Sequence, residues 1–207
     1  MRFEQAFALR LFWTVAHPMH ACLSCSPNTV QALSSARVEG RPSVKRLILM
    51  RHAKSDWSEP ALSDHARHLN ARGRQSAEAL GDWLRRETLQ PDHVLCSDAA
   101  RTRETLALLE LCNVETTTLH TLYLAEPEVM EAALHEREED CILMIAHNPG
   151  CAMLAETLLA KPPEHPDFFR YPTGATLVAS FDITSWRQLR SGTGSATHFI
   201  VPRDLTD

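Results

Sequence analysis

The sequence has no excess of basic residues. Its 21 Lys and Arg stand against 26 Asp and Glu, a formal net charge of -5 with histidine neutral. A chain that neutralises many nucleic-acid phosphates needs the opposite balance, so no nucleic-acid partner is expected. No apolar stretch approaches the length of a transmembrane helix, so no membrane partner is expected. No segment repeats at solenoid spacing. Gly192-Thr193-Gly194-Ser195 lacks the lysine and the spacing of a P-loop, and His135-Glu136 does not extend to a zinc-protease motif. His17, His20, Cys22 and Cys25 are metal-ligand types, but four ligands within nine residues cannot readily wrap one tetrahedral ion, and no second knuckle follows. No metal and no cofactor are therefore expected.

What is present is an ordinary globular composition. Of 207 residues, 44% are hydrophobic and 23% charged, which suits one domain with a sizeable core plus an extension. Cys96, Cys141 and Cys151 sit in or beside apolar segments, and Cys112 ends a helical pattern. Such cysteines read as small buried hydrophobes in a reducing, cytoplasmic setting.

Residues 1–43 differ from the rest. They are poor in acidic residues and run through a Ser/Pro-rich stretch toward Gly40-Arg41-Pro42. Three readings stand open: a signal peptide, weakened by Arg10 inside its apolar region; an organellar transit segment; and a misassigned start site. The third is favoured, because the fold begins at Val44-Lys45-Arg46 and a valine codon can initiate. The division expected is thus a disordered, targeting or misassigned extension over 1–43 and one domain over 44–207.

After Lys45 strands and helices alternate. Apolar runs predict buried strands over 45–51, 93–96 and 141–147. Helices are expected over 73–88, over 98–111 with Ser97 or Asp98 as N-cap, from Pro127, and after Asn148-Pro149. The β-branched stretch 114–123 and segments 176–183 and 196–201 complete the strands. This order argues an α/β fold with a mostly parallel central sheet.

In open α/β sheets ligands bind beyond the carboxyl ends of the strands. Leu47-Ile48-Leu49-Met50 runs into Arg51-His52 there. Cys141-Ile142-Leu143-Met144-Ile145-Ala146 runs into His147, and the strand at 93–96 delivers Ser97, with Arg101 four residues on. Two arginines, two histidines and helix N-termini suit an oxyanion with several oxygens. A neutral imidazole is also a nucleophile able to carry a covalent intermediate.

Leu49-Met50-Arg51-His52-Ala53-Lys54-Ser55-Asp56-Trp57 resembles the opening motif of the histidine phosphatase superfamily, the phosphoglycerate-mutase-like fold. Arg67-His68-Leu69 and Ala71-Arg72-Gly73 continue the likeness. Ser97-Asp98-Ala99-Ala100-Arg101-Thr102 and Ile145-Ala146-His147-Asn148 are similar to its second arginine and second histidine motifs. The likeness covers about residues 45–201 and lies nearest the SixA-type phosphohistidine phosphatases.

The resemblance implies a three-layer α/β/α fold and a metal-independent phosphatase. His52 would be the phosphorylated nucleophile, with Arg51, Arg101 and a protonated His147 holding the phosphoryl oxygens. His52 would need its other ring nitrogen to donate to a nearby acceptor. Two departures stand out. Ala53 replaces the family's usual glycine, and no motif fixes the general acid, for which Asp56, Glu126 and Glu128 are the candidates. The substrate implied is a phosphorylated protein, through phosphohistidine, or a small phosphorylated metabolite. A non-catalytic module that binds phosphorylated partners is the rival of a different class. Specificity is expected in loops 54–69 and 161–174.

Overall fold

The computed structural model describes residues 44–206. Residues 1–43 lie outside it, and with them the expectations about a leader and about His17, His20, Cys22 and Cys25. Six strands form one sheet: β1 (Val44–Arg51), β2 (His93–Ser97), β3 (Glu115–Leu119), β4 (Cys141–Ala146), β5 (Thr176–Asp182) and β6 (Ser195–Ile200), in the order β3-β2-β4-β1-β5-β6. The first four pair in parallel, while β5 and β6 join antiparallel at one side.

The sequence of β1 explains its central place. Leu47, Ile48, Leu49 and Met50 are all fully buried, as a strand covered on both faces requires. Alternate residues then face opposite layers. Leu47 and Leu49 join Ile142 and Met144 of β4 in a core with Met130, Leu134, Leu154 and Leu158. Those four come from helices α3 (Pro127–His135) and α4 (Gly150–Leu158). Ile48 and Met50 join Leu143 and Ile145 in a second core with Leu80, Trp83 and Leu84 of α1 (Ala71–Arg86) and with Leu109. Leu109 directly follows α2 (Ala100–Leu108). Helices therefore cover both faces, and the three-layer α/β/α arrangement follows. A short helix, α5 (Arg203–Thr206), ends the described chain.

Two expectations are corrected. Helix α2 is shorter than 98–111, and its N-cap is Ala99, without a side-chain cap bond. The Ser97 hydroxyl accepts from the Ala99 N–H at 3.4 Å and meets His147 at 2.9 Å, while the Asp98 carboxylate meets His65 and His120. Strand β3 stops at Leu119, and a 3-10 turn over His120–Leu122 follows. That turn sends Tyr123 toward the end of the sheet where β1, β2 and β4 terminate.

Cys96, Cys141 and Cys151 are buried, and burial pushes their thiols up to about 12, 11 and 12. They are inert core residues. Among the described residues, no helix is long and apolar enough to cross a membrane.

Candidate active site

The parallel register fixes the geometry of the strand ends. Arg51 lies opposite Ala146, and Cys96 opposite Ile145. The residues that follow, His52, Ser97 and His147, therefore emerge at one edge. The His52 N–H donates to Ala146 O at 3.1 Å, which closes the gap between β1 and β4. From the other side, Gly174 donates its N–H to His52 O at 3.0 Å. Gly174 holds φ at +79°, a conformation that favours glycine. Gly73 permits a further close approach: a Cβ there would lie 2.1 Å from Lys54 O, so α1 packs directly on the loop leaving β1.

A cleft of about 460 Å³ opens at this edge. Arg51, His52, Arg101 and His147 all line it, together with Asp64, Trp57 and others. The four residues singled out from the sequence thus share one cavity.

The hydrogen bonds define the state of both imidazoles. His52 Nδ1 lies 2.7 Å from Ala53 O. A carbonyl only accepts, so Nδ1 carries the proton and Nε2 the lone pair. Arg101 donates through Nε to His52 Nε2 at 3.2 Å and through Nη2 to His147 Nδ1 at 3.2 Å. A guanidinium only donates, so His147 is protonated at Nε2, which donates to Ser97 Oγ at 2.9 Å. The two rings are 5.0 Å apart.

The electrostatics agree with these tautomers. Burial lowers His52 to about 3; the positive charges of Arg101 and Arg51 act in the same direction, against the Ala53 hydrogen bond. His147 is also lowered to about 3, by burial first and then by His52 and Arg101. Both are neutral near pH 7. Burial and the neighbouring cations disfavour the charged form of His147 in the free site, whereas the protonated His147 that the resemblance implies belongs to the site with a phosphoryl group bound.

Arg101 itself is fixed from outside the motifs. Asp64 Oδ2 accepts from Arg101 Nη2 at 2.8 Å and from the Tyr123 hydroxyl at 2.7 Å. Desolvation pushes the Asp64 carboxyl up, but the hydrogen bonds from Tyr123 and Arg101 outweigh it, and the group lies below its ordinary value. Thr105 ties α2 to β1: its Oγ1 donates to Arg101 O at 2.7 Å and accepts from the Ala53 N–H at 3.1 Å. Arg51 donates through Nη1 to Tyr171 O at 2.8 Å. Its Nε is buried and has no hydrogen-bond partner among the described residues.

The three candidate general acids are not brought into the cleft. Glu126 and Glu128 are exposed at the start of α3. Asp56 accepts from the Ser58 N–H at 2.8 Å, and the Ser58 hydrogen bonds hold its carboxyl below the ordinary value. The carboxylate that does line the cleft is Asp64.

The family model for the histidine phosphatase superfamily (branch 1) matches residues 47–123. A protein of Mycobacterium leprae is 30% identical over 165 residues, which is 74% of this chain and all of that protein. The chain belongs to the histidine phosphatase superfamily, and it is a phosphatase. A chloroplastic protein of Arabidopsis thaliana is 36% identical over 97 residues, 46% of this chain, and the match spans only 44% of that relative. A structure described as the putative phosphohistidine phosphatase SixA of Nakamurella superposes with a TM-score of 0.68 at 26% identity, covering 77% of this chain and 96% of that one. A SixA protein histidine phosphatase complexed with tungstate superposes at 0.62 with 24% identity, over 77% and 99%. Within the superfamily this phosphatase is SixA-like.

Ala53 is fully buried against Leu69 and Ala77, so its methyl group packs into the scaffold of the phosphatase. Sequence reasoning missed Asp64 and Tyr123 as partners of Arg101. The signal available was indirect: a buried arginine needs a counter-charge, and loop 54–69 offers Asp64. The rings of His65 and His120 lie 5.9 Å apart. Asp98 joins them: Oδ1 lies 2.7 Å from His65 Nε2 and Oδ2 2.8 Å from His120 Nδ1. One ligand atom of each of the three lies within 4.8 Å of the others, a nitrogen and oxygen donor set suited to a divalent transition metal.

Proposed function

We propose that this phosphatase hydrolyses its substrate through a covalent phosphohistidine at His52, without a metal ion, and that its substrate is protein phosphohistidine. The observation that carries the covalent step is the hydrogen bond from His52 Nδ1 to Ala53 O, 2.7 Å long. It leaves the Nε2 lone pair in the cleft, unprotonated near pH 7.

The reaction then balances in two displacements. His52 Nε2 attacks phosphorus, the bond from phosphorus to the leaving group breaks, and the leaving group departs with that electron pair and takes a proton from water. A second water attacks the phosphoryl group, the phosphorus–nitrogen bond breaks and its pair returns to Nε2, and the proton lost by the attacking water neutralises the hydroxide left by the first step, so that hydrogen phosphate forms. Arg51 and Arg101 supply positive charge to the phosphoryl oxygens. Such fixed donors are worth most in a site that excludes water. The Arg101 Nε–H at His52 Nε2 is where an incoming phosphoryl oxygen competes. His147 is neutral, and a bound phosphoryl dianion raises its proton affinity.

The carboxylates favour phosphohistidine over an ester. Asp64 is engaged with Arg101 and Tyr123, while Asp56, Glu126 and Glu128 lie outside the cleft. A serine or sugar alkoxide needs a proton from a placed acid as it leaves. An imidazole does not depend on one to the same degree. The likeness to the Nakamurella protein, a putative phosphohistidine phosphatase, supports the same choice. Buried thiols support a cytoplasmic setting.

The test is direct. A phosphohistidine peptide and its phosphoserine counterpart are incubated with the protein and with His52→Ala. The expected result is orthophosphate release from the first peptide, loss of that release in His52→Ala, and a trapped phosphoenzyme that is acid-labile and alkali-stable. Equal release by His52→Ala overturns the covalent role. Preference for phosphoserine overturns the substrate class.

A further inference from the structure

Beside the catalytic cleft lies a second cavity, of about 230 Å³. Lys54 and Thr173 line both, so the two cavities adjoin. The second is lined by four cations, Lys54, Arg72, Arg170 and Arg203, and one carboxylate, Asp167. The cations come from distant parts of the chain: the loop after β1, the first turn of α1, the segment before β5, and α5.

The charges in this cavity do not balance. Asp167 is buried, at 2% exposure. Arg170 Nη1 lies 3.0 Å from its Oδ1, and Arg203 pairs with its Oδ2. One carboxylate therefore serves two guanidinium groups. Lys54 and Arg72 are exposed, and among the described residues their side chains form no hydrogen bond or ion pair. Four positive charges face one negative charge in a concave site, an arrangement that concentrates anions. Arginine forks suit carboxylate and phosphate oxygens in particular.

Resting on the function proposed above, we infer that this cavity binds a second anionic group, a carboxylate or a phosphate, carried by the same substrate molecule that presents its phosphoryl group to His52. Lys54 is two residues from His52, and Thr173 precedes the glycine whose N–H donates to His52 O. The two anionic groups are therefore close on the substrate. In a protein the second group is an acidic side chain beside the phosphohistidine. In a metabolite it is a carboxylate or a second phosphate.

Four probes separate these sources. Two are phosphohistidine peptides, with glutamate or with alanine on both sides of the phosphorylated residue. Two are aryl phosphates, with and without a ring carboxylate. For the intact protein, kcat/KM is expected to favour the charged member of at least one pair by about tenfold, mainly through KM, as loss of a charge-assisted hydrogen bond predicts. Preference within the peptide pair assigns the protein source, and preference within the aryl pair alone the metabolite source. In Arg72→Ala the preference ratio is expected to fall toward one, and in Arg72→Glu to invert.

Binding separates this inference from the catalytic reading. Phenylphosphonate and carboxyphenylphosphonate, which are not hydrolysed, are titrated calorimetrically into the protein and into Arg72→Gln. Tighter binding of the charged phosphonate, lost in Arg72→Gln, supports the second site even if no probe is turned over. Equal treatment of both members of every pair, in turnover and in binding, overturns it. Turnover that persists in His52→Ala fails the catalytic reading alone.

Discussion

Arg101 lies between the two imidazoles, with Nε 3.2 Å from His52 Nε2 and Nη2 3.2 Å from His147 Nδ1. One planar guanidinium thereby spans both rings while its remaining donors are held by Asp64. Lysine carries the same charge but presents a single point of donation. Arg101→Lys is therefore expected to lower kcat by about 10²–10³, the usual cost of removing one donor aimed at a transition-state oxygen. Single-turnover kinetics would check it, with circular dichroism to establish that the variant is folded. A loss smaller than tenfold would show that the spanning geometry is unimportant.

Asp64 is a positioning residue, because it acts through Arg101. Asp64→Asn keeps the shape and removes the charge, and kcat is expected to fall about tenfold, the scale of one charge-assisted hydrogen bond. KM and kcat should both change, while the pH profile keeps its shape, since Asp64 transfers no proton. Asp56→Asn, Glu126→Gln and Glu128→Gln are each expected to leave kcat within about twofold. A larger loss at any of those three would identify it as the acid and count against an imidazole leaving group.

The sequence made some of this site legible and hid the rest for physical reasons. Strands β1, β2 and β4 are buried on both faces, so their apolar runs and the polar residues that end them can be read directly. His52, Arg101 and His147 follow, because parallel strands end at one edge. Asp64 lies in a loop without periodicity, and its partners Arg101 and Tyr123 are 37 and 59 residues away. Asp98 reads locally as an N-cap, yet His65 and His120, 33 and 22 residues distant, take its carboxylate. The protonation state of His147 is hidden for a related reason. Its motif suggests a phosphate ligand, but its protonation depends on burial and on cations supplied by other strands.

Chelation addresses the source of positive charge. Arg51 and Arg101 line the cleft and need no ion to face the phosphoryl oxygens. EDTA is therefore expected to leave kcat for phosphohistidine peptide within about twofold, because Lewis-acid assistance is worth several kcal/mol where it operates. Abolition of the rate by EDTA, with recovery on adding a divalent ion, would overturn the metal-free reading. The variant His65→Ala would then show whether His65, Asp98 and His120 hold that ion.

Stability should follow pH through the two buried imidazoles. His52 and His147 are each lowered to about 3 in the folded protein, against about 6.5 in an unfolded chain. Between those values the unfolded chain binds more protons than the folded one, so unfolding free energy rises with pH. The sign is thus fixed: both residues cost stability as pH falls from about 6.5 toward about 3, and neither does above that window. Each contributes at most about 1.4 kcal/mol per pH unit. Urea midpoints measured from pH 4 to pH 7 should therefore rise with pH, and the slope should be shallower in His147→Gln. Activity should show no acid limb near pH 6.5 from His52, because its Nε2 is already a free base there. A limb at that pH lost with no single histidine other than His52 would place its proton affinity near the ordinary value, and would contradict the buried, Arg101-flanked geometry.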